Sequence, residues 1–178
     1  MVICYLTFGD VIKTLEDPIS AIQSPENCHT VVSIVEGIHI YHILLYFKKL
    51  TMVDWIHHGA TFYMTILCKM YHNGIIYHFV SFFMCGLPGG IDYMMLFMVK
   101  IGLMRPLTEK YINTILNAWI RNPGILFYVA IMLTHKSMLQ GHHFTFHCLG
   151  LCFWNAIFFN NRVLINYSAE NVLKSVQK

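Results

Sequence analysis

The sequence predicts an all-α fold, a multi-pass transmembrane helical bundle of about five crossings preceded by a partial N-terminal helix. Of the 178 residues, 56% are hydrophobic and only 12% are charged, whereas soluble domains carry roughly 25% charged residues. The apolar residues also fall into five long runs, close to the length of about 20 residues that crosses a bilayer as a helix. These runs are residues 31–47, 51–71, 74–104, 107–133 and 144–159.

The stretch before the first crossing, residues 1–30, joins a short apolar segment to a long polar one. Residues 1–9 resemble the end of a helix whose beginning is missing, and they lack the basic start and cleavage site of a signal peptide. Pro18 and Pro25 interrupt residues 10–30, which predicts a loop with one short helix. The single predicted domain, residues 1–178, then has three parts: residues 1–30, a bundle at 31–160 and a polar tail at 161–178.

Local signals mark the boundaries and interruptions of the crossings. Thr51 followed by Asp54 predicts a capping box that begins the second crossing. Pro88 removes a backbone hydrogen bond in the middle of the third crossing, so we expect a kink or break there. Pro106 ends that helix, and Pro123 predicts a second interruption within the fourth crossing.

The basic residues predict the orientation of the bundle. Alternating crossings place eight of them on one side and three on the other, with Arg121 inside a helix, and the richer side is expected to be cytosolic. The C-terminus is then cytosolic, so the Asn-Tyr-Ser sequon at Asn166 is expected to stay unglycosylated. The basic residues are scattered, which argues against a nucleic-acid partner. The eight are Lys48, Lys49, Lys100, Arg105, Lys110, Arg162, Lys174 and Lys178, and the three are Lys13, Lys69 and Lys136.

Six cysteines occur in the chain, without a Cys-x-x-Cys pair. Because a thiol inside an apolar helix behaves as a small apolar side chain, we expect packing roles and no disulfide framework.

Ionisable residues are unusually frequent inside the apolar runs. Each costs about 2.5–3.5 kcal/mol at the bilayer centre, so such residues normally face the interior of the bundle. Asp54, His57 and His58 fall on one helical turn, where the carboxylate is within reach of either imidazole. This triplet fits a general base, and it equally fits a helix cap with two interfacial histidines. The other ionisable residues inside the apolar runs are Glu36, His39, His42, His78, Asp92, Arg121 and His147.

Metal-ligand patterns among these residues are weak. Glu36, His39 and His42 step by three along one helix, a spacing that suits metal ligands and a polar seam alike. The spacing from His142 to Cys152 matches no zinc template, and we expect no metal site. Asp92 would need a basic partner such as Arg121 if its role is structural. A catalytic role for Asp92 is an equal alternative.

The run GIHIYHILLYFKKLTMVDWIHHGATFY, residues 37–63, resembles the TLC-domain family of multi-pass membrane proteins, which includes the ceramide synthases. The family pattern is an aromatic-rich helix, a short basic loop, an aspartate and paired histidines, here Asp54, His57 and His58. Asp92, within LPGGIDYMMLFMVK, matches the second aspartate of a downstream family motif. The ceramide synthases carry a His-Asp pair shortly before that aspartate, and Pro88 and Gly89 stand at those positions here.

The resemblance implies lipid metabolism or lipid homeostasis in the endoplasmic reticulum. If the chain is an acyltransferase similar to the ceramide synthases, His57 or His58 is the general base or acyl acceptor. Asp54 would orient that histidine, and Asp92 would be a second polar partner. Acyl-CoA would be the co-substrate, and no bound cofactor is expected.

Two alternatives remain. A non-enzymatic TLC-like protein would bind lipid with the same residues lining a cavity. A histidine-rich membrane oxygenase or elongase would need a His-x-x-His-His box, which is not met because Asp54 stands three residues before His57. In each case we expect membrane lipids as partners, and self-association into a homo-oligomer stays open.

Overall fold

The computed structural model describes residues 1–71, 74–138 and 142–176, with the side chains of Tyr71, His142, His143, Phe144 and Lys174 left out of the description. Within these ranges the regular structure is helical and contains no strand, which confirms the predicted all-α class. The α-helices are α1 (Val2–Glu16), α2 (Pro18–Gln23), α3 (His29–Tyr46), α4 (Met52–Tyr71), α5 (Ile76–Ser81), α6 (Leu87–Lys100), α7 (Pro106–Leu116), α8 (Asn122–Thr134) and α9 (His142–Val176).

Four helical segments of the described chain are long and apolar enough to cross a membrane, which is compatible with an integral membrane protein. The second predicted crossing, α4, has 20 residues and is about 30 Å long. It is not among the four because Asp54, His57, His58 and Lys69 lower its hydropathy. The four segments are His29–Lys49, Ile76–Lys100, Pro106–Thr134 and Thr145–Leu173.

Helix α4 exposes several large apolar side chains and buries polar ones beside apolar ones. Ile56, Ile66 and Met70 are exposed, whereas His58 and Thr65 are buried together with Leu67 and Cys68. A helix of a soluble protein has the opposite arrangement, because water solvates its polar face. The outward apolar face of α4 is the face that a lipid environment favours, so the polar composition of this helix reflects its interior contacts.

The helices enclose a central space. Helix α4 packs against α3 and α9, and α9 also packs against α7 and α8. Helix α5 lies between α8 and α1, and α1 and α5 both contact α3, which closes the ring. The arrangement therefore surrounds an interior into which α3, α4, α5 and α9 all direct side chains.

Contacts with α9 bring several basic segments to one end of the bundle. Arg162 donates to Asp54 at the start of α4 at 3.1 Å, and Lys110 in α7 pairs with Glu170. The sequence predicts that the loop at residues 47–51 and the C-terminal half of α9 lie on the same side of the membrane. These contacts agree with that prediction. Helix α9 continues to Val176, so most of the predicted tail is helical, and Lys178 lies outside the described residues.

Each predicted proline interruption is a π-helical turn that ends two residues before the proline. The turns are Phe82–Gly86 before Pro88 and Asn117–Arg121 before Pro123. Pro88 has no N–H, so it cannot donate to the carbonyl of Met84 as other helical residues do. Arg121 donates to that carbonyl instead, from Nε at 3.3 Å. A side chain from the second π-helical turn thus satisfies a backbone group of the first.

The N-terminal segment contains the short helix that the prolines predict, but residues 10–16, which were predicted as loop, are the second half of α1. Asp17 caps α2 by accepting hydrogen bonds from the backbone N–H groups of Ile19 and Ser20, both at 3.1 Å. Its second oxygen accepts from the Ser20 hydroxyl at 2.7 Å. These hydrogen bonds from Ser20 hold the pKa of the Asp17 carboxyl below its usual value.

The structure shows the six cysteines as reduced thiols that form no disulfide with one another. Cys28, Cys68, Cys148 and Cys152 are buried in the apolar interior, as expected for small apolar side chains.

Candidate functional site

Three histidines from two neighbouring helices meet inside the bundle. His39 comes from α3, and His57 and His58 come from α4; one ring nitrogen of each lies within 4.8 Å of the others. His39 is 6% exposed and His58 is 5% exposed. Their Nδ1 atoms are 2.7 Å apart, so one ring donates a proton to the other. We call these three residues the histidine cluster.

The cluster lies well inside the bundle. His58 is seven residues beyond Thr51, which places it about 10 Å along α4 from the start of the helix. Aromatic rings surround it: Phe62 packs edge-on to His39, and Phe159 packs edge-on to His57 with ring centroids 4.6 Å apart. The imidazoles are therefore held in a largely apolar setting.

A fourth histidine lies beside the cluster and joins it to α6. The ring centroid of His42 is 6.0 Å from that of His58. His42 shares a hydrogen bond through Nε2 with the hydroxyl of Tyr93 and stacks on its ring. Tyr93 follows the predicted site residue Asp92, so α6 reaches the histidines through Tyr93.

Asp54 caps α4 and does not hydrogen-bond an imidazole among the described contacts. One carboxylate oxygen accepts from the backbone N–H and hydroxyl of Thr51 at 2.9 and 2.7 Å. The Thr51 hydroxyl in turn accepts from the N–H of Asp54 at 3.3 Å, which confirms the capping box. The other carboxylate oxygen accepts from Arg162. Both oxygens are engaged, one turn away from the histidines.

Asp92 lies against α7, apart from the histidine cluster. Asn113 donates to its carboxylate at 2.8 Å and has a longer contact of 3.5 Å with the carboxylate of Glu109. The predicted partner Arg121 is engaged elsewhere, by Met84 and Asn155. The structure thus brings His57 and His58 together and places Asp92 in a separate polar group.

A chain of hydrogen bonds runs from the first proline interruption to His57. Arg121 donates to the carbonyl of Met84 and, through Nη2, to the side-chain oxygen of Asn155. The Asn155 amide nitrogen is 3.5 Å from Nδ1 of His57, at the outer limit of a hydrogen bond. Sequence reasoning did not single out Asn155, although a buried amide within an apolar helix is a signal of an interior partner.

An apolar cavity of about 60 Å³ begins at His57 and Asn155. It extends between α3, α4, the α5 segment and α9, and Val35, Met64 and Leu151 are among the residues that line it. Thr61, Thr65, Tyr77 and Ser81 add hydroxyl groups to a lining that is otherwise mostly apolar. A mostly apolar lining with a few polar groups suits an apolar ligand with a polar terminus.

A groove on the outer surface adjoins this cavity. It runs between α4 and α9, and Ala60 and Leu151 line both the groove and the cavity. Gly59 and Gly150 have no side chain to close it. The cavity is therefore separated from the outer face of the bundle by only a thin wall of small or flexible residues.

The other ionisable residues within the predicted crossings form pairs outside the cluster. Lys69 bridges Glu36 between α4 and α3, so Glu36 does not join His39 and His42. His78 contacts Asp10 at 2.7 Å. His147 shares a hydrogen bond with Tyr63 at 3.0 Å. The side chains of His142 and His143, considered in the sequence as metal ligands, lie outside the described residues.

The fold and site define a class: an α-helical protein with membrane-compatible segments and a buried histidine cluster next to an apolar cavity. Comparisons of the chain with protein-family models, curated proteins and solved structures found no match. The resemblance to the TLC-domain family therefore remains a prediction from the residues quoted above.

Replacing Arg121 tests the interior hydrogen-bond chain. We expect Arg121→Met to destabilise the protein by about 1–3 kcal/mol, because it leaves the Met84 carbonyl and the Asn155 side chain without their donor. The measurement is thermal unfolding in detergent micelles. Arg105→Met is the matched control, since Arg105 is exposed, and it should shift stability by at most about 0.5 kcal/mol. Equal effects of the two substitutions would contradict the structural role of Arg121.

Proposed function

We propose that this chain is an integral membrane protein of lipid metabolism or lipid homeostasis that binds the hydrocarbon chain of a lipid in its central cavity. The observation that carries the proposal is the cavity itself, which has apolar walls and ends at His57 and Asn155. A hydrocarbon chain matches the walls, and the polar terminus of a lipid matches the imidazole and amide.

The volume of the cavity indicates that a lipid chain must displace side chains in order to enter. A volume of about 60 Å³ is small for an extended chain, because sites that enclose drug-sized ligands have about 300–1,000 Å³. Met64 and Met84 line the space, and methionine side chains adapt their shape readily. We infer that a lipid chain enters by displacing these side chains, and that the described structure is the closed form.

The groove between α4 and α9 gives the lipid a lateral route. It lies on the outer face of the bundle and shares Ala60 and Leu151 with the cavity. A lipid already in the bilayer can pass between the two helices there without crossing the polar end of the bundle. This route favours a ligand that partitions into membranes over a water-soluble one.

Acyl transfer to a sphingoid amine is the second candidate function, and the position of His57 at the cavity end favours it. In this reaction the amine nitrogen bonds to the thioester carbonyl of acyl-CoA, the C–S bond breaks, and the amine proton passes through the imidazole to the leaving thiolate. Asp54 would act only through the helix start, since Thr51 and Arg162 occupy its oxygens.

The membrane orientation is part of the proposal. We infer a cytosolic C-terminus in the endoplasmic reticulum, supported by the basic residues at the α4–α7–α9 end of the bundle and by the TLC resemblance. The histidine cluster then lies about 10 Å inside the cytosolic end of α4, within reach of a donor such as acyl-CoA.

Filling the cavity tests lipid binding. We expect Leu151→Trp to abolish most labelling by a fatty acid that carries a photoactivatable diazirine in its chain, because the indole occupies the space next to Ala60 and Met64. The readout is mass spectrometry of labelled peptides from the protein in lipid nanodiscs. Leu164→Trp is the control on the same helix, at an exposed position. Unchanged labelling of cavity peptides in Leu151→Trp would contradict the proposal.

An acylation assay tests the enzymatic candidate. Microsomes containing the chain receive a sphingoid base and a series of acyl-CoA lengths, and lipid mass spectrometry follows the N-acyl product. If His57 is the general base, His57→Ala should lower the rate by about 100-fold or more, whereas His135→Ala, at the end of α8, should not. Product formation that survives replacement of both His57 and His58 excludes a histidine base, and no product at any acyl length leaves lipid binding alone.

Glycosylation mapping tests the orientation. Pro18→Asn creates an Asn-Ile-Ser sequon in the N-terminal polar segment, and we expect it to gain a glycan that endoglycosidase H removes. The native sequon at Asn166 should gain none, because the oligosaccharide is added only on the lumenal side. A glycan at Asn166 would reverse the proposed orientation.

A further inference from the structure

The histidine cluster has the ligand set of a metal site. Three imidazoles from two helices each offer a ring nitrogen within 4.8 Å of the other two. Imidazole is a preferred ligand of zinc, copper, iron and nickel. His57 and His58 are adjacent in sequence, and their ring centroids are 5.4 Å apart. His39 faces both from α3, with ring centroids at 5.1 and 5.0 Å.

The spacing of the rings matches a tetrahedral ion after small side-chain rotations. With metal–nitrogen bonds of about 2.0–2.1 Å, two ligand nitrogens of a tetrahedral site are about 3.3 Å apart. The Nδ1 atoms of His39 and His58 are closer than this, at 2.7 Å, and the ligand nitrogens of the three rings all lie within 4.8 Å of one another. The required distance falls within this range, so rotation of the imidazoles about their χ angles would bring the nitrogens to it.

The ligands that the cluster offers to a cation are neutral imidazoles and not carboxylates. The carboxylate nearest in sequence, Asp54, has both oxygens engaged by Thr51 and Arg162. Among the described contacts within the cluster, His39 and His58 share one hydrogen bond through their Nδ1 atoms. A metal ion would accept one lone pair from each of the three neutral rings at once.

A tetrahedral ion held by three histidines would have one free coordination position, next to the cavity. Three protein ligands and one free position are the arrangement of catalytic zinc sites, whereas structural zinc sites use four protein ligands. His57 is the member of the cluster that lines the apolar cavity. A ligand in that cavity would reach the free position of an ion held by the three rings.

We propose that His39, His57 and His58 bind one divalent transition-metal ion, with Zn²⁺ as the reference ion, and that its free coordination position faces the apolar cavity. This replaces the sequence-based expectation of no metal. The proposal does not depend on lipid binding, because metal binding and lipid labelling are measured separately. It excludes His57 as a general base for acyl transfer, because a metal-bound imidazole has no free lone pair.

The test uses the full chain purified in detergent micelles, stripped of metal with a chelator and titrated with ZnCl₂. We expect one tightly bound zinc per chain by elemental mass spectrometry after desalting. His39→Ala, His57→Ala and His58→Ala should each lower the zinc affinity at least tenfold. His135→Ala and His147→Ala are matched controls, because both histidines lie outside the cluster, and they should leave the affinity unchanged.

A measurement on the unmodified protein keeps the proposal falsifiable if the variants fail to fold. X-ray absorption at the zinc edge counts the imidazole ligands and gives their distance, and we expect three at about 2.0–2.1 Å. Zinc well below one per chain, a spectrum with one imidazole or none, or cluster variants that bind zinc as tightly as the controls would each overturn the site. Lipid labelling that persists alongside any of these results would leave the proposed function standing.

Discussion

The guanidinium of Arg121 links the hydrogen-bonding groups in the interior of this protein. Pro88 removes the backbone donor that would otherwise bond to the Met84 carbonyl, and a free carbonyl in an apolar interior is costly. Arg121 supplies the missing donor and also bonds to Asn155. Burying a guanidinium is itself costly, so this arrangement depends on several acceptors at once. The π-helical turns near both prolines place the carbonyl and the Arg121 side chain within reach of each other.

The histidine cluster and the cavity follow from the same interior. Asn155 links the guanidinium to His57, and His57 stands where the polar groups end and the apolar walls of the cavity begin. Helix α4 can carry so many polar residues because its outward face is apolar and its inward face is screened by α3 and α9. The polar side chains of α4 thus form part of the histidine cluster. They also lower the hydropathy of α4, so it is not among the four apolar spanning segments.

Some features of the site could be read from neighbouring residues in the sequence, and others could not. The Thr51–Asp54 capping box depends on groups three residues apart and is confirmed. The same carboxylate was expected to hold a histidine, but Arg162 takes its second oxygen from 108 residues away. Asp92 was grouped with the histidines because of a motif match, whereas its carboxylate bonds to Asn113. In both cases a distant partner competed for the group, and the sequence pattern contains no information on that competition.

The sequence by itself determined the all-α class, the long apolar helices and the proline interruptions, because each depends on composition or on residues within one or two turns. It did not predict that residues 10–16 continue α1 or that most of the tail extends α9. Only the tertiary structure decided which polar side chains meet. His39 and His58 are 19 residues apart, Met84 and Arg121 are 37 apart, and Arg121 and Asn155 are 34 apart. Such contacts depend on which helices pack together and how each is rotated about its axis, and helical periodicity specifies only a helix's own faces, not the neighbour each face will meet.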